Sequence, residues 1–189
     1  MYEENRMTYD TQYDGTLLIE PPLHAGEVRA LTAFFTSRRI QTTGGPLDCR
    51  TLDMGHPDVL EYNLPPEGQP SLHCNLEISE DGTVLAWSGN PDTGPALHRW
   101  IAYVIDHLLK PDAEFDFRER NVSIEMTDDN LLWDFSFDHY VNGEITGRGM
   151  VGDTWKIVVE DNEVSEVKAV FTIPLAATAE IGDEEDEDE

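Results

Sequence analysis

The sequence predicts an α+β fold, an antiparallel sheet with two helices on one face. Two segments carry apolar residues at helical spacing, and most of the others alternate apolar with polar residues between short turns rich in Asp, Asn or Gly. Apolar faces of both kinds can be buried together only in a two-layer arrangement.

The first strand is expected over Thr16 to Glu20, in "GTLLIEPPL", where Pro21 and Pro22 end it because proline cannot donate to a ladder. A helix over residues 24–39 follows, with Val28, Leu31 and Phe35 on one stripe and Arg38 and Arg39 in its last turn, where cations suit the helix dipole. Residues 41–70 are rich in glycine and proline and keep no period, so they read as a long irregular excursion. "LHCNLEISEDGTVLAWS" then alternates, with Leu72, Cys74, Leu76 and Ile78 on one side and His73, Asn75, Glu77 and Ser79 on the other, and "EDG" supplies a hairpin turn.

A second helix is expected over residues 94–110. Leu97, Trp100, Ile101, Val104, Ile105 and Leu108 form its apolar stripe, Thr93 or Gly94 caps it, Pro95 opens it and Pro111 stops it. The remainder reads as strands at "VSIEM", "LLWDFSF", "EITGRGMV", "TWKIVV" and "VKAVFTI", joined by "TDDN", "DHYVNG", "GD" and "EDNE". Turns this short pair consecutive strands in a meander. Trp133, Phe135 and Phe137 share one face and Trp155, Ile157 and Val159 another. The order strand, helix, strand, strand, helix, strand is the split βαβ plan of a ferredoxin-like core, here extended by a C-terminal β-meander.

The expected organisation is a polar segment over residues 1–12, one α+β domain over 13–174 and a disordered acidic tail over 175–189. With 189 residues the chain is long enough for one core, since a domain of roughly 150 residues buries about 70% of its unfolded surface. The start has no basic, apolar leader pattern, and the most apolar run, "WIAYVIDHLL", is too short and too charged to span a bilayer. Two cysteines are no disulfide framework, so the expected location is the cytoplasm.

Charge is the outstanding feature. Lys and Arg total 12 against 39 Asp and Glu, for a net charge of −27. The tail "EIGDEEDEDE" supplies eight of those charges, so the rest of the chain still carries −19. A chain this acidic repels nucleic acid and anionic membranes, which bind through Lys and Arg. Its natural partners are basic protein surfaces, including those of nucleic-acid-binding proteins, or cations.

Catalytic patterns are not found. Cys49, His56, His73 and Cys74 have the wrong spacing for zinc, and no nucleophile elbow, reactive-cysteine signature or paired-histidine metal motif occurs. His24, His98, His107 and His139 are scattered and read as surface or boundary residues. No catalytic residue, metal ligand or cofactor is therefore assigned.

"DGTLLIEPPL" before a helix carrying "EV", with "NGEITGRGMVGDTWKIVVEDNEV" near the end, resembles small uncharacterised proteins of actinobacteria and their phages that carry a ferredoxin-like domain. The resemblance covers about a third of the chain. It implies that fold and a phage or mobile-element origin, and it implies no activity.

Counting strand ends in a ferredoxin-like topology brings three turns together near Glu20: "EDG" at 80–82, "DHYVNG" at 138–143 and "EDNE" at 160–163. The candidate partner-binding rim is accordingly Glu20, Glu80, Asp81, Asp138, Glu160, Asp161 and Glu163. Asp14, "TDDN" and Asp153 fall at the opposite end. Carboxylates two apart on a strand lie about 6.7 Å from each other, comparable to neighbouring phosphates, so such a surface can occupy a groove built for nucleic acid.

The expected function is that of a non-enzymatic acidic interaction protein that binds and blocks a basic surface of a host protein, as a nucleic-acid mimic or adaptor. Two alternatives stay open. One is a soluble acidic domain whose charge reflects salt or genome composition, consistent with nine arginines against three lysines. The other is a divalent-cation-binding protein or an enzyme.

Overall fold

Alternation along the first strand sets the layers. In β1 (Gln12–Glu20) Tyr13, Leu17 and Ile19 are buried while Thr16, Leu18 and Glu20 face solvent. The computed structural model describes residues 11–89, 97–113, 135–149 and 152–168. The expected strand "VSIEM", residues 131–134 and Trp133 with them, residues 169–173, the cap and first turn of the second helix and the acidic tail lie outside these.

A six-stranded antiparallel sheet runs in the order β4 (Leu76–Ile78), β5 (Val84–Trp87), β1, β6 (Tyr140–Arg148), β7 (Thr154–Glu160), β8 (Glu163–Lys168). β1 starts earlier than its sequence pattern implies because β6 pairs with all nine of its residues, from Gln12 opposite Arg148 to Glu20 opposite Tyr140. The inward residues Leu85, Val141, Ile145, Ile157 and Val159 continue the buried face across the sheet.

Helix α1 (Ala25–Thr36) and helix α2 (Leu97–Val104) cover that one face. Ala30, Leu31, Phe34 and Phe35 of α1 meet Trp100, Ile101 and Val104 of α2 in the core, with the Phe34 ring 6.1 Å from Trp100 and 6.3 Å from Tyr103. Each Leu, Ile, Val or Phe among them contributes about 1.5–3 kcal/mol when fully buried. His24 caps α1 through Nδ1, which accepts from the Gly26 and Glu27 N–H groups, while Glu27 reaches back to the His24 N–H. This is a capping box with histidine in the Ser/Thr position. A π-helical turn, Ile105–Leu109, continues α2, and the Lys110 N–H closes it on the Ile105 carbonyl.

Several elements depart from the sequence pattern. α1 stops at Ser37, whose backbone is extended, so Arg38 and Arg39 follow the helix rather than completing its last turn. Arg38 lies over the Tyr62 ring at 4.9 Å, and Arg39 is fully buried. Asn75 takes a positive φ of 54° and is buried, which shortens the β4 ladder and removes it from the polar face expected for it. Phe135 and Phe137 are buried but not in a strand, since Phe137 has φ 53° and interrupts extended pairing. Tyr140 to Gly143, expected as loop, belong to β6 because β1 extends far enough to pair with them. β8 begins at Glu163, because the preceding turn has only two central residues, Asp161 and Asn162.

The 41–70 excursion is mostly irregular, as its composition suggests, apart from the ribbon of β2 (Gln41–Thr42) and β3 (Val59–Glu61). It folds around Arg39. That guanidinium lies 4.2 Å from the centre of the Phe34 ring and donates to Gln69 Oε1 at 3.1 Å, Ser37 Oγ at 2.8 Å, the Asp48 carbonyl at 3.0 Å and the Pro46 carbonyl. Its contacts are carbonyls, a hydroxyl, an amide, a thiol and a ring. Burial lowers its pKa from the ordinary value, with Cys49 acting in the opposite direction.

Candidate functional site

Two acidic turns, "EDG" at 80–82 and the Asp161–Asn162 turn, and the entry to β6 at Asp138 converge because of how each is hydrogen-bonded at the end of β1 and β6; "DHYVNG", expected as a turn, is mostly strand. The "EDG" turn is tied to β1 by the Ile19 N–H on the Thr83 carbonyl at 2.8 Å and to the chain after it by the Leu23 N–H on the Gly82 carbonyl at 3.0 Å. Asp81 Oδ1 accepts from the Thr83 N–H, the Thr83 hydroxyl and the Ser79 hydroxyl at 2.6–3.1 Å. These bonds, the Ser79 and Thr83 side chains first, lower the Asp81 pKa and keep the turn anionic.

At the β7–β8 turn, Asp161 (φ 46°) and Asn162 (φ 74°) both adopt the left-handed conformation that a two-residue hairpin requires. Asn162 then stitches the turn to β6. Its Oδ1 accepts from the Val141 N–H at 2.7 Å, its Nδ2 donates to the His139 carbonyl at 3.0 Å, and the Asp161 N–H donates to Asn142 Oδ1 at 2.8 Å. Glu160 and Glu163 are opposite one another in the ladder.

Glu20, Glu80, Asp81, Asp138, Glu160, Asp161 and Glu163 are all exposed, and all belong to this end of the sheet. Asp14 and Asp153 lie at the other end, beside Thr146 and at the β6–β7 turn. Segments 79–83, 138–143 and 160–163 contain no Lys or Arg.

Beneath the rim lies a polar network that the sequence reading missed. Glu27 is fully buried and His139, expected at the surface or boundary, is 1% exposed. Glu27 Oε1 lies 3.0 Å from His139 Nε2 and accepts from the Ser136 N–H at 2.7 Å and the Ser136 hydroxyl at 2.8 Å; its Oε2 accepts from the His24 N–H at 2.9 Å. His139 Nδ1 lies 2.7 Å from the Pro21 carbonyl. Burial raises the carboxyl pKa, but the bonds from His139, Ser136 and His24 outweigh it and hold Glu27 at about 2, below its usual 4.5. Burial likewise disfavours the His139 cation, yet Glu27 and the Pro21 carbonyl raise its pKa above 6.5. Each ring nitrogen of His139 faces an acceptor, the Pro21 carbonyl and Glu27 Oε1, an arrangement that favours the imidazolium.

Ser136 Oγ stands 2.9 Å from His139 Nε2, which invites comparison with a nucleophile and its base. The electrostatics oppose that role. A general base needs a free nitrogen lone pair, and here the Glu27 carboxylate favours a proton on the same nitrogen that Ser136 approaches. The network instead anchors α1, the turn after β1 and the start of β6 to one another, directly below Asp138. The sequence signal for its helix half is the "HAGE" capping box at residues 24–27.

Other reactive candidates are muted. Burial raises the pKa of both thiols, Cys49 and the fully buried Cys74, so neither is a ready thiolate. Among the described residues no group of three or more His, Cys, Asp or Glu is placed to hold a metal ion, and no helix is long and apolar enough to cross a membrane. Compared with protein-family models, with curated proteins and with solved structures, the chain finds no significant match.

Proposed function

We propose that this is a non-enzymatic acidic interaction protein that binds and blocks a basic surface of a host protein through the rim at the Glu20 end of its sheet. The observation that carries the reading is the convergence there of two acidic turns and the Asp138 entry to β6, without Lys or Arg and fixed by hydrogen bonds to the sheet. A preorganised anionic surface steers a basic partner to itself and loses little freedom on binding. The resemblance of the "DGTLLIEPPL" and "NGEITGRGMVGDTWKIVVEDNEV" segments to phage proteins supports a host protein as the partner, with nucleic-acid-binding proteins the class whose grooves suit such a rim. A ferredoxin-like core is part of the same proposal, supported by β1 lying between β5 and β6 with β4 outermost.

Replacing Glu80, Asp81, Glu160 and Asp161 together by Lys tests the reading. All four are exposed and outside the core, and circular dichroism checks that the fold survives the loss of the Asp81 bonds to Ser79 and Thr83. In a pull-down from host lysate the wild type should retain a basic protein at low salt and less of it as the Debye length shrinks to about 8 Å at 0.15 M. The quadruple variant should retain none. Unchanged retention by the folded variant refutes the rim.

A further inference from the structure

His139 is where four elements meet. Its ring reaches Glu27 of α1 and the Pro21 carbonyl after β1, its N–H donates to the Leu109 carbonyl of the π-helical turn at 3.1 Å, and its own carbonyl accepts from Asn162 of the β7–β8 turn. The residue before it, Asp138, belongs to the acidic rim and places Oδ1 3.8 Å from His139 Nε2. Ser136 joins the buried pair to that rim. Its Oγ lies 2.6 Å from Asp138 Oδ1, 2.8 Å from Glu27 Oε1 and 2.9 Å from His139 Nε2. A hydroxyl carries one proton, so only one of the three receives it.

The charge of the ring decides which. While Nε2 is protonated it donates, and Glu27 Oε1 is served by Nε2 and by the Ser136 N–H. The hydroxyl proton then goes to Asp138, at the short distance of a hydroxyl on a carboxylate. When the ring loses its proton, one nitrogen is left with a lone pair. At Nδ1 that lone pair would face the Pro21 carbonyl at 2.7 Å, and among the described residues no donor stands there. At Nε2 the Ser136 hydroxyl can turn to it. The neutral ring thus keeps Nδ1–H, Ser136 donates to Nε2, and Asp138 loses both its hydrogen bond and the cation beside it. Besides Glu27, the elements packed around the ring bring His24 on α1, Glu20 at the end of β1, Asp161 at the β7–β8 turn, and His107 and the bonded Lys110–Asp106 pair at the π-helical turn. Burial disfavours the His139 cation, but Glu27 and the Pro21 carbonyl outweigh it and raise its pKa above 6.5, so the change falls on the alkaline side of that value.

We propose that Ser136 is a relay through which the charge of buried His139 sets the rim: with the imidazolium, Asp138 is held against the network, and with the neutral ring it is released to a cationic partner. The inference rests on the rim reading and names a regulation of it. Above the His139 midpoint the rim has one more free carboxylate and one fewer cation beneath it, so it holds a basic partner more tightly.

Nuclear magnetic resonance of the full chain from about pH 5.5 to 9 tests the relay. The His139 ring resonances locate its titration and show which nitrogen keeps the proton, and the Hα–Hβ couplings of Asp138 report its rotamer. Below the midpoint the couplings should be those of one rotamer; above it they should average, with Nδ1 protonated. In Ser136→Ala, which keeps the backbone N–H bond to Glu27, they should be averaged at every pH. At constant ionic strength a hexalysine peptide should gain about threefold more affinity across the midpoint in wild type than in Ser136→Ala, the size of one exposed ion pair; the other histidines are common to both. Couplings constant through the titration, a ring that keeps one charge state over this range, a neutral ring protonated at Nε2, or an equal hexalysine gain in the two proteins overturns the inference and leaves the rim reading standing. Equal hexalysine binding by wild type and by the quadruple variant at Glu80, Asp81, Glu160 and Asp161 refutes the rim, while the couplings still decide the relay.

Discussion

Replacing Glu27 by Gln removes one charge from the buried network and changes little of its shape. The wild-type carboxylate accepts from Ser136, His139 and His24 and is held at about 2 rather than 4.5. At 1.36 kcal/mol per pKa unit, that depression corresponds to about 3 kcal/mol of stability when the group is ionised, in line with the ~3–5 kcal/mol lost when one partner of a buried pair is removed. Because the folded pKa is depressed, this contribution is complete above the unfolded value of 4.5 and fades as pH falls towards 2. His139 behaves in the opposite sense. Its folded pKa is raised above 6.5, so its contribution is complete below 6.5 and is lost as pH rises through the folded value.

The pair therefore stabilises most between about pH 4.5 and 6.5. In Glu27→Gln the His139 ring keeps its burial and loses its counter-charge, so its pKa should fall. Melting by circular dichroism from pH 2 to 9 should show the variant about 6–12 °C below wild type in that window, taking about 2–4 °C per kcal/mol for a chain of this size. The deficit should narrow towards pH 2, where the wild-type carboxyl is half protonated, and at high pH, where His139 is neutral in both proteins. Comparing the two proteins removes the pH dependence of the other carboxylates. A deficit that is constant with pH, or no deficit, refutes the ion-pair account.

Three further outcomes follow from particular contacts. Arg39→Met should cost about 3 kcal/mol, because the Pro46 and Asp48 carbonyls and Gln69 lose a buried donor, and Arg39→Lys should recover only part of it; urea unfolding measures both. Gly82→Ala should destabilise by about 1–3 kcal/mol, since φ is +71° and the added Cβ would fall 2.3 Å from the Leu23 carbonyl oxygen; a thermal shift of a few degrees checks it. Cys74 should resist a thiol reagent at pH 8 until the chain is unfolded by denaturant, and rapid labelling of the native protein would contradict its burial.

The class of the fold was legible in the sequence because it depends on short-range patterns. The stripe from Leu97 to Leu108, the alternation from Leu76 to Ile78 and the "EDG" turn each involve residues a few positions apart. The shared end of the "EDG" and "EDNE" segments was legible too, because in an antiparallel sheet each strand reverses direction. What only the tertiary structure decided is the fate of individual charged and turn-forming residues. Nothing near Arg39 in the sequence marks it as buried; it is buried because Phe34, Pro46, Asp48 and Gln69 close around it once the excursion folds back. Tyr140 to Gly143 look like a loop and become strand because β1 offers them a ladder. Glu27 looks like an ordinary helix-start acid, and its partners Ser136 and His139 stand 109 and 112 residues away. Periodicity records which side of an element is apolar. Whether a polar side chain can leave water depends on finding donors and acceptors from distant segments at bonding distance, and only the packed chain supplies those.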